Sequence, residues 1–200
     1  MAFDKRSQIY EDTKSEGDTI ILETASADLM PHSIFLFLEI ISHGVYDGMP
    51  WHTSANHVVQ AGPSSNVETT KGLREEPSLQ SVIFQEFDPS FPHDKYTIGF
   101  AGRPGGPDFY INLKDNHTLH GPGGQARHYG DVVEDADPCF ARVVKGFSVI
   151  DRLHRSEVES RNSHNNRSEV EGRNSHNNVL YPASIERMRI VQDFVPIAEA

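Results

Sequence analysis

Residues 96–113 constrain the fold more than any other stretch, because two short apolar runs enclose a loop dominated by helix-breaking residues. The runs at 96–100 and 109–113 are rich in the aromatic and β-branched residues typical of strands. Five of the seven residues in 102–108 are Gly or Pro, which excludes a helix. Glycine permits close approach of the backbone and proline stiffens it, so this loop can present main chain to a ligand. The alternative is an ordinary surface connection between two strands.

Composition favours one compact, acidic domain. The 200 residues are 36% hydrophobic, enough for a core, and the formal net charge is -11. This charge disfavours nucleic acid and anionic membrane surfaces as partners. No stretch approaches the roughly 18 apolar residues of a membrane span. The single cysteine, Cys139, cannot form an internal disulfide. We expect a monomer that needs no cofactor. We also expect it to be soluble, either in the cytoplasm or, if an N-terminal secretion signal is missing from this sequence, in the lumen of the secretory route.

The rest of the pattern predicts many strands and two helices. We expect residues 1–17 to be poorly ordered, apart from one short strand near 7–11. One helix should begin at Pro31 and end before Gly44, and an amphipathic helix should span about 147–154. Apolar and β-branched runs predict further strands at 18–24, 49–53, 57–62, 138–145 and 185–195.

A twelve-residue unit occurs twice, at 155–166 and 167–178, and the copies differ only at Ser160 and Gly172. One apolar residue per unit cannot build a packed solenoid from two copies. We therefore expect a solvated loop inserted at 155–178 within a single domain spanning 18–195. A histidine in each copy, at positions 164 and 176, could recruit a metal, but two lone histidines on a loop more often have no such role.

Several motifs resemble those of the cyclophilins, the peptidyl-prolyl cis-trans isomerases. Residues 46–48 (Tyr-Asp-Gly) and 51–52 (Trp-His) resemble the family's Tyr-Asp-Gly and Phe-His-Arg, and residues 57–62 resemble its Phe-Met-x-Gln-Gly-Gly strand. Residues 109–112 resemble its Phe-Phe-Ile-Asn, and 138–151 match its Phe-Gly-Lys-Val-Val-x-Gly-x-x-Val-Val-Asp pattern. The resemblance implies a mainly β fold, a closed antiparallel eight-stranded barrel capped by two helices.

The resemblance also implies which residues bind a proline-containing peptide or protein segment. Carried over position by position, the peptide-binding residues are Gln60, Ala101, Gly102, Tyr110 and Leu119. The sequence departs from the family at several of the most telling places. Thr53 stands where the family has the arginine that donates a hydrogen bond to the twisting amide. Other departures are His57 and Val58 for Phe and Met of the proline pocket, Gly102 for Asn, Asp108 for Gln, and Thr118 for Trp.

A threonine hydroxyl is short and uncharged, whereas a guanidinium is always charged and presents several donors in a plane. If the missing hydrogen bond contributes about 3 kcal/mol, its loss slows the reaction around a hundredfold. We therefore predict a divergent isomerase domain with weak or absent activity and no assured catalytic residue. The alternatives are a non-catalytic module that binds or scaffolds proline peptides, and a domain of a larger, secretory-route protein.

Other side chains have competing interpretations. Arg103 could supply a substitute cation if its loop aims it inward, and the alternative is a solvated surface arginine. His52 is either a structural histidine under the sheet or a general base, and the family favours the first. His117 and His120 are three residues apart but lack companion ligands, so no metal site is expected. Cys139 in an apolar strand is expected to be a buried small hydrophobe.

Overall fold

The computed structural model describes residues 7–11, 18–65, 76–124, 135–155 and 183–192. Strands dominate these residues, and three helices accompany them. The strands are β1 (Ser7–Glu11), β2 (Ile21–Thr24), β3 (Trp51–Ser54), β4 (Val58–Ala61), β5 (Thr97–Phe100), β6 (Phe109–Asn112), β7 (Cys139–Lys145) and β8 (Met188–Gln192). The helices are α1 (Pro31–Ser42), the short α2 (His117–His120) and α3, which begins at residue 147 and is described through residue 155.

All eight strands form one sheet in the order β3-β4-β6-β5-β7-β2-β1-β8, and every neighbouring pair is antiparallel. An isolated bridge between Pro50 and Ser184 joins the segments that precede the two edge strands, β3 and β8. Trp51 N donates to Ala183 O at 2.8 Å beside this bridge. The predicted mainly β, eight-stranded antiparallel architecture is confirmed, and its two edges meet at this bridge.

Helix α1 covers the main core. Phe37, fully buried, contacts four aromatic rings from other elements, those of Tyr46, Phe100, Phe109 and Phe140, with centroids 4.8 to 6.0 Å apart. Proline occupies the first turn, as the sequence indicated, but the N-cap residue Met30 offers no side-chain hydrogen bond. Glu86 caps the helix instead, because its carboxylate accepts hydrogen bonds from the backbone N–H groups of His32 and Ser33. A distant residue therefore caps this helix.

Most predicted elements are present with boundaries shifted by a few residues, including the short strand at Ser7–Glu11 and the helices that start at Pro31 and 147. Helix α2 was not predicted. The repeated unit lies outside the described residues apart from its first residue, so its loop character and the domain limits stay predictions. None of the described helices is long and apolar enough to cross a membrane.

Candidate functional site

A row of directly opposed residues crosses four strands and contains two of the predicted peptide-binding residues, Gln60 and Tyr110. Thr53 on β3 pairs with Gln60 on β4, Gln60 pairs with Tyr110 on β6, and Tyr110 pairs with Gly99 on β5. Directly opposed residues in neighbouring strands share one face of the sheet. The row therefore places Thr53, Gln60 and Tyr110 side by side.

Gly99 at the end of the row makes room for Tyr110. A Cβ atom at position 99 would lie 2.5 Å from Tyr110 Oη and 2.6 Å from Pro138 O, distances that real Cβ atoms do not adopt. The phenol ring consequently lies over the glycine, and its hydroxyl extends past β5 toward the segment before β7. The absence of a side chain at position 99 thus fixes where the Tyr110 ring sits.

The row has a small apolar floor that is separate from the main core. Ala55, Val58 and Tyr110 form this floor, and the half-buried Ala101 packs against it. Gly102 follows with a φ of +90°, a conformation that favours glycine. Leu119, on α2, is 43% exposed next to the buried His120. We call the outward side of the row, together with Ala101, Gly102 and Leu119, the groove face.

The Thr53 end of the row is polar. Thr53 Oγ1 lies 3.0 Å from His52 Nδ1, and His52 Nε2 lies 3.1 Å from Asp108 Oδ2. A register shift between Trp51 and Thr53 accompanies the contact between these neighbouring side chains. His52, half-buried, is thus linked to two residues that differ from the family pattern, Thr53 and Asp108.

Asp108 accepts three hydrogen bonds from two other residues, Gln60 and Ser64. Gln60 Nε2 donates to it at 3.2 Å, Ser64 N donates at 3.0 Å, and the Ser64 hydroxyl also donates to it. Burial opposes ionisation of Asp108, but the nearby His52 ring and the hydrogen bonds from Ser64 outweigh it, and the net effect lowers the pKa of this carboxyl. Asp108 is therefore an ionised anchor that holds the Gln60 amide.

Arg103 is not a solvated surface side chain, because only 4% of it is exposed. Its Nε donates to Asp137 Oδ1 at 2.9 Å. The second oxygen of Asp137 lies 2.5 Å from His120 Nδ1 and 3.4 Å from the Tyr110 hydroxyl. The loop does aim Arg103 inward, but to the Tyr110 end of the row and into an ion pair with Asp137. Arg103 as a substitute for the family's arginine remains a hypothesis.

A stack of nearly parallel rings runs beneath and beyond the floor. The centroids are 6.0 Å apart for Phe87 and His93, 6.4 Å for His93 and Tyr110, 4.6 Å for Tyr110 and His120, and 5.5 Å for His120 and His57. Burial, and then the neighbouring His120, lower the pKa of His93 to about 3. The same two causes lower the pKa of His57. The His93 ring is therefore neutral in ordinary buffers.

Three residues at the Tyr110 end of the row were not predicted as site residues. His93 and Asp137 were not considered as site residues, and His120 was weighed only as a partner of His117. His117 instead contacts Asp94, at 2.6 Å. No group of three or more metal-ligating side chains converges within the described ranges. Cys139 is buried, and burial raises the pKa of its thiol to about 12, so it is not a thiolate nucleophile.

Comparisons with known proteins agree with this fold. A family model described as "Cyclophilin type peptidyl-prolyl cis-trans isomerase/CLD" matches residues 12–173. A crystal structure of a Cryptosporidium parvum cyclophilin-type peptidyl-prolyl cis-trans isomerase superposes with a TM-score of 0.61 at 13% identity, covering 94% of this chain and 99% of that one. The same protein in the presence of the dipeptide Ala-Pro gives 0.61 at 14% identity, covering 93% and 99%. No curated protein matches by sequence.

Proposed function

Because the chain belongs to the cyclophilin-type peptidyl-prolyl cis-trans isomerase family, we propose that its groove face binds proline-containing peptides and isomerises them only slowly. The observation that carries this proposal is the cross-strand row of Thr53, Gln60 and Tyr110. The row supplies a polar end, an amide and an aromatic ring in sequence across the sheet.

The apolar floor suits a proline ring. Ala55, Val58 and Tyr110 are buried together outside the main core, and Ala101 borders them. Proline presents a compact apolar ring without an N–H, so a small apolar surface flanked by backbone and amide groups matches its chemistry. A solved Cryptosporidium parvum relative was crystallised with Ala-Pro, which makes this dipeptide a reasonable first probe.

The polar end of the row explains why turnover should be slow. Twisting an X-Pro amide must overcome a barrier of about 20 kcal/mol, and a site lowers it by donating a hydrogen bond to the pyramidal nitrogen. The Thr53 hydroxyl is short, uncharged and in contact with His52. The Arg103 cation is engaged with Asp137. Neither group offers the rigid, charged donor that the family's arginine supplies.

A binding module without turnover is the second candidate, and one observation favours it. The two polar side chains of the row are both held by internal partners, Thr53 by His52 and Gln60 by Asp108. Such contacts fix the groove face for recognition. They leave few hydrogen-bond donors that could stabilise the amide nitrogen as the X-Pro bond twists. Peptide binding with no measurable acceleration would therefore select this candidate.

The proposal is tested by restoring the arginine. We expect Thr53→Arg to raise kcat/KM for an Ala-Pro-containing peptide about a hundredfold, since about 3 kcal/mol of transition-state stabilisation returns. NMR exchange spectroscopy measures turnover, and an NMR titration of the same peptide measures the Kd. Thr53→Met, with similar length and no charge, is the matched control and should leave turnover low. The proposal is wrong if the peptide shifts no groove-face resonance in any of the three proteins.

A further inference from the structure

Thr53, His52 and Asp108 form a chain of polar contacts whose hydrogen-bond direction depends on one proton. His52 Nδ1 lies 3.0 Å from Thr53 Oγ1, and His52 Nε2 lies 3.1 Å from Asp108 Oδ2. An ionised carboxylate only accepts hydrogen bonds, whereas an imidazole nitrogen donates or accepts according to its protonation. The state of the His52 ring therefore decides what the Thr53 hydroxyl can do.

In the neutral ring, the hydrogen belongs on Nε2. Nε2 makes no hydrogen bond within the described residues, but a bare nitrogen there would set its lone pair 3.1 Å from the Asp108 carboxylate oxygen. Nδ1 is then an acceptor, and the hydrogen between it and Oγ1 is that of the Thr53 hydroxyl. In this state the hydroxyl donates to His52 and has no hydrogen left for a peptide.

In the protonated ring, both nitrogens carry hydrogen. Nε2 faces the Asp108 carboxylate as an ion pair, and Nδ1 donates to Thr53 Oγ1. Because the oxygen now accepts, its own hydrogen is released to point elsewhere. Thr53 is half-buried on the groove face, directly opposite Gln60, so the released hydrogen is available to a bound peptide.

We propose that Thr53 is a catalytic hydrogen-bond donor in isomerisation and that His52 is a positioning residue that releases this donor when it is protonated. The inference rests on the proposed function, because it places the donor where the family has its arginine. No bond to carbon forms or breaks, and the hydrogen stays on Thr53 while it stabilises the nitrogen of the twisted amide. The imidazolium also places a positive charge one hydrogen bond away from the Thr53 hydroxyl. Activity should therefore rise as the His52 ring gains its proton.

The ionisable groups near His52 have pKa values shifted away from neutrality. Asp108, in the segment before β6, has a lowered pKa, and Gln60 and Ser64 contribute neutral donors to it. Burial, and then Asp108, raise the pKa of Tyr46 well above its usual value. Three other histidines lie farther from His52: His154 on α3 contacts Ser54, and His57 and His120 lie at the Tyr110 end of the row.

The test is a pH profile of isomerisation measured by NMR exchange spectroscopy, which requires no coupling enzyme. We expect kcat/KM to rise about fivefold as the His52 ring becomes protonated, because one hydrogen bond from a neutral hydroxyl typically stabilises a transition state by that factor. The midpoint should coincide with the titration of the His52 ring resonances. Thr53→Val should abolish the rise, Thr53→Ser should retain it, and His52→Gln should flatten it. His43→Gln, an exposed histidine at the end of α1, is the matched control and should change nothing.

The outcomes separate this inference from the proposed function. An acid rise that follows the His52 titration and needs a hydroxyl at position 53 supports the inference. Peptide binding with a flat profile, or with a rise that persists in Thr53→Val, overturns it and leaves the proposed function intact. A protein that binds no Ala-Pro peptide at any pH overturns both. If Thr53→Val does not fold by circular dichroism, the comparison of Thr53→Ser with His52→Gln decides between the same outcomes.

Discussion

Individual residues on the groove face act through their neighbours. Thr53 is defined by its contact with His52, Gln60 by its hydrogen bond to Asp108, and Tyr110 by the space that Gly99 leaves. Each pair joins a residue of the groove face to a neighbour that holds it in place. Substitutions of the holding residue should therefore change binding without removing any group that touches the peptide.

Gly99→Ala tests this at the Tyr110 end of the row. The new methyl would lie 2.5 Å from Tyr110 Oη and 2.6 Å from Pro138 O, so the phenol ring must move. We expect about 1–3 kcal/mol of destabilisation from overpacking. Peptide affinity, measured by NMR titration, should weaken about tenfold, or about 1.4 kcal/mol.

Gly48→Ala is the control for this variant. Position 48 has a φ of +75°, so alanine is strained there, but a Cβ would meet nothing within 4 Å. It should lower stability and leave the peptide Kd unchanged. If both glycine variants weaken binding equally, the effect is general destabilisation and the assigned role of Gly99 is wrong.

At the scale of elements, α1 depends on a partner far away in the sequence. Glu86 accepts from His32 N at 3.1 Å and from Ser33 N at 2.7 Å, and Glu86 itself is buried. A carboxylate at a helix N-terminus satisfies otherwise unpaired N–H groups and interacts favourably with the helix dipole. The segment before β5 and the helix over the core are therefore coupled.

Glu86→Gln should weaken this coupling. The amide keeps one acceptor oxygen but loses the charge and the second acceptor, so we expect the free energy of unfolding in urea to fall by about 1–2 kcal/mol. Glu76→Gln removes an exposed carboxylate and should have little effect. Equal stability of the two variants would show that Glu86 does not cap the helix.

The elements that the sequence predicted best are those whose signal is local. The strand at Thr97–Phe100 and the helix beginning at Pro31 follow from residue type and from glycine and proline placement. Helix α2 was missed because four residues, His-Thr-Leu-His, carry no helical period. Its presence matters to the site, since it brings His120 against Tyr110.

The site could be predicted only in part, because its contacts join distant positions. Thr53, Gln60 and Tyr110 were identified by resemblance, and strand pairing places them in one row. The ion pair of Arg103 with Asp137 spans 34 positions, and nothing near either residue in the sequence indicates it. The direction of a side chain in a loop of Gly and Pro is set by what the rest of the fold leaves open.

At the scale of the whole molecule, a buried neutral histidine ties stability to pH. The pKa of His93 falls from 6.5 to about 3, first because the ring is buried and then because His120 lies nearby. Its two ring nitrogens make no hydrogen bond within the described residues. Below pH 6.5 the unfolded chain takes up a proton at this position and the folded chain does not, so stability falls as the pH falls toward 3.

We expect this group to remove about 2 kcal/mol of unfolding free energy between pH 7 and pH 5. His93→Phe keeps an aromatic ring in the stack and cannot titrate, so its stability should depend less on pH by that amount. Urea unfolding at both pH values measures the difference. His43→Phe, at an exposed site, should retain the dependence of the parent protein, and a His93→Phe variant with an unchanged slope would contradict the assignment.

The ion pair of Arg103 and Asp137 beneath the groove has a consequence for how this protein can change over evolutionary time. Replacing either residue alone strands the opposite charge in a dry interior, which typically costs several kcal/mol. A lineage carrying the pair can recover an apolar pocket only if both positions change together or if a compensating mutation comes first. Close descendants should therefore keep both charges or neither, so this pair of positions records ancestry more faithfully than the exposed residues of the groove.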